Sequence, residues 1–293
     1  MARFNLDWQS KLVLLLVLPW TTVSVYVQAD TWGKHAPASA IWVLGLSTLL
    51  GLLAWTLRTA TPEAAITGAM ITAGLMFSTL VYPYHIGRTA LAPVLVLLVL
   101  TSLATRFGRR RKERLGTAEK RHGRGASQVA ANLGVAALVM QPALLWRLFE
   151  MHWFPQAIMT APVAIFSLGL AALAESAADT VSSEIGQVVG GQPRMITTLR
   201  RVEPGTDGGI TVAGTAAGVL AAGIVAAAGC WALRGDPGMF AVTWAGGVFG
   251  LFFDSLLGAT LERAGWLNND GVNFLSTASA AGFVLAVMAA ALH

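Results

Sequence analysis

Residues 210–233 read ITVAGTAAGVLAAGIVAAAGCWAL, and none of these side chains carries a charge. A helix of about 17 to 25 mostly apolar residues is long enough to cross the hydrocarbon core of a bilayer. Similar stretches occur on both sides of this one, so the sequence predicts an all-α, polytopic membrane bundle of about nine transmembrane helices. The predicted spans are residues 11–29, 38–57, 63–82, 89–105, 127–146, 158–182, 210–233, 239–262 and 272–292.

The composition of the whole chain also indicates a lipid environment. Of the 293 residues, 55% are hydrophobic and 12% are charged, whereas a soluble domain averages about 25% charged residues. This composition excludes disordered, collagen-like and disulfide-stapled classes, and the single cysteine can form no intrachain disulfide. We treat residues 1–293 as one transmembrane domain, with N-terminal helices in 1–104, a basic loop in 105–126, and the candidate active site in 127–293.

The distribution of basic residues predicts the orientation in the membrane, because short cytoplasmic loops are enriched in Lys and Arg. The loop after the fourth span is densely basic, and placing it in the cytoplasm puts sixteen of the 20 Lys and Arg residues on that side. The N-terminus is then predicted inside and the C-terminus outside. We expect an integral protein of a bacterial or organellar inner membrane, in contact with the lipid bilayer. No nucleic-acid-binding motif is visible, so no nucleic acid is expected as a partner.

Acidic residues on the sixth and eighth spans are the most informative feature, because an ionisable side chain within a membrane helix is costly and is usually functional. At about 100° per residue, Glu175 and Asp179 share one stripe of their helix, while Glu184 points to another face. On the eighth span, every fourth residue forms a ridge along one helix face, which begins with glycine and ends with acids. Its residues are Gly246, Gly250, Asp254, Gly258 and Glu262. Small residues allow close helix contact, so these acids are expected to face the bundle interior.

Carboxylates from both helices at one depth would repel one another unless a cation lies among them. Carboxylate and hydroxyl oxygens suit Mg²⁺, which commonly binds through one or two carboxylates and substrate phosphates. The predicted metal ligands are Glu175, Asp179, Ser183, Glu184 and Asp254. Two alternatives stay open: the acids pair with Arg194, Arg200 or Arg201, or they stay protonated in a polar helix interface.

The loop between the sixth and seventh spans is predicted to bind phosphate. Consecutive glycines let backbone N–H groups converge on an anion, and the start of the next helix adds free donors. The predicted phosphate ligands are Arg194, Arg200, Gly205, Thr206, Asp207, Gly208 and Gly209. Glycine and proline are also ordinary loop residues, and no Walker A or Rossmann motif is present.

The last cytoplasmic connection, residues 268–273, reads NNDGVN. Its asparagines either cap the following helix or, as we predict for Asn269 and Asn273, bind a nucleotide. None of the five histidines has ligand spacing with another, so a zinc site is not expected.

Six ordered motifs resemble the transmembrane protein 19 family, which is also catalogued as integral membrane domain of unknown function 92. They are LATRFG at 103–108, GASQVAAN at 125–132, ADTVSSEIG at 178–186, PGTDGG at 204–209, DSLLGAT at 254–260 and NNDGVN at 268–273. The resemblance covers residue 55 to the C-terminus. The family usually has threonine-alanine where this chain has Ser176 and Ala177.

The family includes chloroplast phytyl-phosphate kinases, so the resemblance implies phosphoryl transfer from a nucleoside triphosphate, with CTP preferred among plant members. The acceptor would be an isoprenoid monophosphate of the phytyl or geranylgeranyl type, converted to its diphosphate with Mg²⁺. The family's polar motif residues match, by position, Asp179, Glu184, Asp207, Asp254 and Asn273. Our predicted catalytic residues are Asp179, Asp254, Arg194 and Arg200. Three further possibilities stay open: a transporter or channel, a CTP-dependent cytidylyltransferase that acts on lipid phosphates, and a homo-oligomeric assembly.

Overall fold

The computed structural model describes residues 7–81, 85–117, 123–141 and 162–291. Ten α-helices and one two-stranded ribbon lie in these ranges. The helices are α1 Asp7–His35, α2 Pro37–Thr56, α3 Pro62–Ser78, α4 Leu91–Arg106, α5 Arg109–Leu115, α6 Ala126–Val139, α7 Pro162–Val189, α8 Val212–Leu233, α9 Pro237–Leu257 and α10 Asn269–Ala290. Between α7 and α8, β1 Arg194–Met195 pairs with β2 Gly209–Ile210 in an antiparallel ribbon, and a π-helical turn, Gly258–Glu262, extends α9.

Side chains at helix starts explain where several helices begin. An oxygen of the residue before the helix accepts the backbone N–H of the third helical residue, which would otherwise lack a partner. Thr211 accepts from Gly214 at 3.0 Å before α8, and Asp236 accepts from Met239 at 2.7 Å before α9. Pro237 then occupies the first helical position, where its missing N–H costs nothing.

Helix α7 lies at the centre of the bundle. It packs against α8, α9 and α10 on one side and against α4 and α6 on the other. Small side chains make this possible, since Ala171, Ala174, Ala177 and Ala178 are fully buried. A Cβ on Gly247 of α9 would lie only 2.8 Å from the Ala174 Cβ, so the two helices are close enough to exclude any larger residue.

Each of the nine predicted spans overlaps a helix in the described ranges, and the count of nine crossings stays a prediction. Within the described ranges, five helices are long and apolar enough to cross a bilayer, or six if α4 and α5, bent by 62°, form one broken span. The five are α1, α2, α8, α9 with its π-helical turn, and α10. Helix α6 has only 14 residues, and residues 142–146 and 158–161 of the predicted fifth and sixth spans lie outside the described residues.

Large apolar side chains on the outside of the bundle fit a lipid surrounding. Ile41 and Trp42 of α2, Leu220 of α8 and Tyr26 of α1 are all exposed. Exposed apolar area on this scale is rare in soluble monomers and marks a membrane or protein contact. The protein is therefore an all-helical membrane protein.

Candidate functional site

Three acidic side chains from two helices meet beside the start of a third helix. Glu175 and Asp179 lie one turn apart on α7, and Asp254 lies near the end of α9. The three carboxyl groups interact electrostatically, and Asp179 is within hydrogen-bonding distance of Asp254. Ser276, in the second turn of α10, is within hydrogen-bonding reach of both Glu175 and Asp254. We call these four residues the carboxylate cluster.

Two oxygens of the carboxylate cluster have no hydrogen-bond partner among the residues that the structure describes. Glu175 is only 1% exposed, and its Oε1 atom and the Oδ2 atom of Asp254 are buried and accept no hydrogen bond from the described residues. The Ser276 hydroxyl donates instead to the backbone oxygen of Asn273 at 3.0 Å. A buried, unpaired polar atom is destabilising, so each such atom requires an explanation, for example an ion that binds there. The cluster therefore has oxygen atoms available to a ligand.

Gly250 of α9 provides the space that Glu175 occupies. A Cβ on residue 250 would overlap the Glu175 Cγ atom and would lie 2.9 Å from the Ala280 Cβ. It would also lie 3.1 Å from the backbone oxygen of Ser276. The glycine ridge of the sequence thus lets α9 approach α7 and α10, and the acids at its end point into the bundle.

Basic and polar groups lie on the other side of α7. Arg124, just before α6, donates from Nη2 to Thr180 Oγ1 at 3.5 Å and is attracted electrostatically to Asp179. One turn deeper, Ser176 Oγ donates to Asn132 Oδ1 at 3.2 Å, and both residues are buried. The sequence singled out neither Arg124 nor Asn132, because each joins the site only through the packing of α6 on α7.

Two of the predicted metal ligands lie outside the carboxylate cluster. Glu184 is near enough to repel Asp179, but its Oε2 atom accepts a hydrogen bond from Lys112 Nζ at 2.5 Å. Ser183 is exposed and donates to the backbone oxygen of Thr180 at 3.1 Å. Lys112 is fully buried and also donates to the backbone oxygens of Ala104 and Thr105. This lysine therefore fixes the end of α4 and the middle of α5 to α7.

Within the described ranges, no three His, Cys, Asp or Glu side chains are already arranged to hold a metal ion. The prediction of a magnesium site thus stays a prediction. If an ion binds, it needs oxygen ligands from elsewhere in addition to the protein carboxylates.

The predicted phosphate loop folds over the end of α9. Gly208 has φ 73° and packs so closely on Ala259 that a Cβ would overlap the backbone of that residue. Burial raises the pKa of the Asp207 carboxyl above its usual value, and the nearby Arg263 partly offsets this. Glu262 interacts electrostatically with Asp207 as well as with Asp179 and Asp254. A series of acids thus leads from the carboxylate cluster to this loop.

The two predicted catalytic arginines lie at the surface of the same loop. Arg194 and Arg200 are both exposed, and Arg194 Nη1 donates to the backbone oxygen of Leu199 at 2.9 Å. In the part of the chain that the structure describes, no ion pair joins Arg194, Arg200 or Arg201 to an acid. The structure therefore does not bring these arginines into the carboxylate cluster.

Replacing Gly208 with alanine is expected to destabilise the protein by about 2 to 3 kcal/mol, because a left-handed backbone and an overlap with Ala259 both oppose a side chain. Gly191→Ala is the matched control: its φ is 69°, but a Cβ there meets nothing within 4 Å. That variant should lose only about 1 kcal/mol. Denaturant unfolding in detergent micelles measures both. Equal losses would show that the contact between residue 208 and Ala259 contributes nothing.

The asparagine segment joins the start of α10 to α1. Asn268 Oδ1 accepts from the Gly271 N–H at 2.8 Å, so this residue caps α10. Gln9 of α1 accepts from the Asn268 N–H at 2.8 Å and donates to the backbone oxygen of Trp266 at 2.8 Å. Asn269 is exposed, whereas Asn273 is buried one turn before Ser276. The sequence did not reveal the contribution of Gln9, which lies some 260 residues away along the chain.

A match to a known protein family covers most of the chain. The family described as integral membrane protein DUF92 matches residues 45–281, which include α3 to α9 and most of α10. The chain belongs to the DUF92 family. The resemblance seen in the sequence motifs is thereby confirmed.

The DUF92 relatives come from archaea, bacteria and plants. An uncharacterized membrane protein of Methanocaldococcus jannaschii is 43% identical over 126 residues, which are 41% of this chain and 52% of the relative. The Arabidopsis thaliana protein VTE6, chloroplastic, is 28% identical over 82% of this chain and 69% of its own length. An uncharacterized membrane protein of Synechocystis is 31% identical over 68% of this chain and 73% of its own length. This chain thus spans about half the length of the archaeal relative, and no solved structure matches.

Proposed function

We propose that this DUF92 protein is a membrane kinase that transfers the terminal phosphoryl group of a nucleoside triphosphate to an isoprenoid monophosphate. The nucleotide is CTP and the acceptor is of the phytyl or geranylgeranyl type, as the family resemblance implies. The product is the corresponding diphosphate. The similarity to a chloroplast protein of Arabidopsis thaliana supports this assignment.

The observation that carries the proposal is the carboxylate cluster with its unpaired oxygens. Glu175, Asp179 and Asp254 face one another from α7 and α9, beside the basic Arg124 and beneath a glycine-rich loop. Phosphoryl transfer needs mainly alignment and charge neutralisation, which cations, backbone donors and arginine provide. The acceptor is already an oxyanion, so a site without a strong general base is sufficient.

The donor set fits a magnesium ion shared with the substrate. Asp254 and Glu175 each have a buried oxygen that accepts no hydrogen bond within the described ranges, and carboxylates are the ligands that Mg²⁺ prefers. Asp179, Asp254 and Glu175 are the residues that would hold the ion. A bound Mg²⁺ would neutralise charge on the nucleotide phosphates. Gly205–Gly209 and Arg194 would hold those phosphates from the loop side.

The basic residues at this end of the bundle support a cytoplasmic active site. Many basic residues lie at the end of α7 and α9 that holds the carboxylate cluster. They are Arg106, the basic residues of α5, the arginines of the loop between α7 and α8 (Arg194, Arg200 and Arg201), and Arg263. The start of α1 lies there as well, because Gln9 contacts the start of α10. By the positive-inside rule we propose that this end, and the N-terminus with it, faces the cytoplasm.

Purified protein in lipid nanodiscs, supplied with CTP, Mg²⁺ and geranylgeranyl monophosphate, is expected to form the diphosphate and CDP. Chromatography separates the products, and omission of Mg²⁺ or of the acceptor is the control. Pyrophosphate in place of CDP would identify a cytidylyltransferase. Absence of product with any nucleotide, across acceptors of different chain length, would contradict the enzyme proposal and favour a transporter, which a liposome flux assay then tests.

A further inference from the structure

A cavity on the N-terminal side of the bundle lies next to the carboxylate cluster. It has a volume of about 560 Å³, within the range of small-molecule sites. Its walls come from α2, α3, α4 and α6, including Leu50, Gly68, Leu97 and Leu133. At its inner end it reaches Asn132 and Ser176, the neighbour of Glu175 in the chain.

The two ends of this cavity differ in charge. Four arginines lie at the end of the cavity near the carboxylate cluster. Arg58 follows α2, Arg106 ends α4, Arg109 begins α5 and Arg124 precedes α6. Among the described lining residues the one acid is Glu113, which pairs with Arg109 at 3.1 Å. The opposite end is formed by Leu50, Val94 and Leu97. A ligand that matches this surface has an anionic head and a long apolar tail.

Arg124 connects the cavity to the acids. It lines the cavity, donates to Thr180 and is attracted to Asp179 across α7. Arginine is well suited to a phosphate because its guanidinium group presents several donors in one plane. A phosphate bound by Arg124 would therefore lie beside the carboxylate cluster.

We propose that this cavity binds the acceptor lipid, with the isoprenoid chain between α3 and α4 and its terminal phosphate held by Arg124 and Arg106. This inference rests on the proposed kinase function for its choice of ligand. It places the isoprenoid chain in the cavity and the nucleotide under the glycine-rich loop, with the acceptor phosphate beside Asp179, where the two substrates would meet.

Photolabelling of the full-length protein in nanodiscs tests the location of the lipid. The probe is geranylgeranyl monophosphate with a diazirine at the end of its chain, and mass spectrometry maps the labelled peptides. Labels are expected on α3 and α4 near Gly68 and Leu97, and unlabelled geranylgeranyl monophosphate should compete. Labels on α2 or α6 would also support the proposal, because these helices line the cavity. Labels on helices outside its wall, such as α1, α8 or α10, overturn the proposal, as does equal competition by phosphatidic acid or inorganic phosphate.

A pair of glycine variants tests the cavity by a second route. A Cβ on Gly68 would lie 3.7 Å from Val129 Cγ1, so a small side chain fits and a larger one fills the cavity. Gly68→Leu is expected to raise the KM for the lipid, and to lower photolabelling, by about tenfold, with the KM for CTP unchanged. Gly45→Leu is the control on α2, where a Cβ meets nothing within 4 Å, and it should change neither value.

The outcomes separate this inference from the proposed function. Labelling inside the cavity by a protein that forms no diphosphate would defeat the kinase proposal and support a lipid-phosphate site. An active kinase whose Gly68→Leu variant keeps both its KM and its labelling would overturn the cavity assignment alone.

Discussion

Asp179→Asn and Asp254→Asn are each expected to lower the rate of diphosphate formation by about 10³-fold, because each removes a charge on which the transferred phosphoryl group and its cation depend. The two side chains interact directly, so they act on one ligand and their effects should not add. The double variant is thus expected to be about as slow as each single variant. Steady-state assays in nanodiscs with CTP and geranylgeranyl monophosphate measure this.

Magnesium-dependent stability gives a readout that does not require catalysis. An ion that binds only the folded protein stabilises it by about 2.7 kcal/mol at a concentration 100 times its Kd. Wild-type protein should therefore gain stability when Mg²⁺ is added, and both asparagine variants should lose most of this gain. Without Mg²⁺ the variants should be at least as stable as wild type, because they remove repulsion between neighbouring carboxylates.

Asp30→Asn is the matched control for the loss of one acid. Asp30 is exposed on α1 and pairs with Lys34 one turn away, so its replacement should change neither activity nor the response to Mg²⁺. Wild-type turnover in both Asp179→Asn and Asp254→Asn would contradict the assignment of the carboxylate cluster. A magnesium response that survives in both variants would place the ion elsewhere.

The carboxylate cluster was predictable because it depends on helical periodicity. Residues four apart share one face of a helix. The sequence alone therefore placed Glu175 on the same face as Asp179, and Asp254 on the same face as Gly250. The glycine ridge also indicated that the two helices approach closely, as the contact between Gly250 and Glu175 shows.

The partners of these acids were not predictable from the sequence. Lys112 belongs to a run of basic residues that suggests a solvated surface, yet its side chain is buried against α7. Arg124, Asn132 and Gln9 likewise gain their roles from contacts between segments that are distant along the chain. Such contacts depend on how the helices pack, and local patterns carry no information about packing partners.

The number of membrane crossings is hard to predict for a related reason. The sequence predicts nine, and the described ranges contain five helices, or six with the bent pair α4 and α5 as one span, that are long and apolar enough to cross a bilayer. Apolar composition shows that a helix is buried, but it does not distinguish burial in lipid from burial in protein. Among the described helices, α7 packs against α4, α5, α6, α8, α9 and α10, which explains how an apolar segment also carries three acids. The predicted orientation of the termini rests on the basic residues and stays a prediction.

Lys112→Met alone is expected to destabilise the protein by about 3 to 5 kcal/mol, since it leaves the Glu184 carboxylate without its partner in a mostly buried position. The Lys112 ammonium also binds the backbone oxygens of Ala104 and Thr105, so the end of α4 loses its attachment to α7 as well. Replacing both partners by Lys112→Met and Glu184→Leu should restore most of the stability, because no uncompensated charge is then buried. Denaturant titration in mixed micelles measures the free energy of unfolding of all three proteins.

The exposed pair Arg109 and Glu113 on the same helix is the control, and Arg109→Met should cost less than about 1 kcal/mol. Activity then separates a structural Glu184 from a metal-binding one. If Glu184 serves to attach α5 to α7, the double variant should recover diphosphate formation together with stability. If Glu184 binds the ion, as the sequence predicts, the double variant should be stable and inactive, and Glu184→Gln should lose its response to Mg²⁺ in the same way as Asp179→Asn.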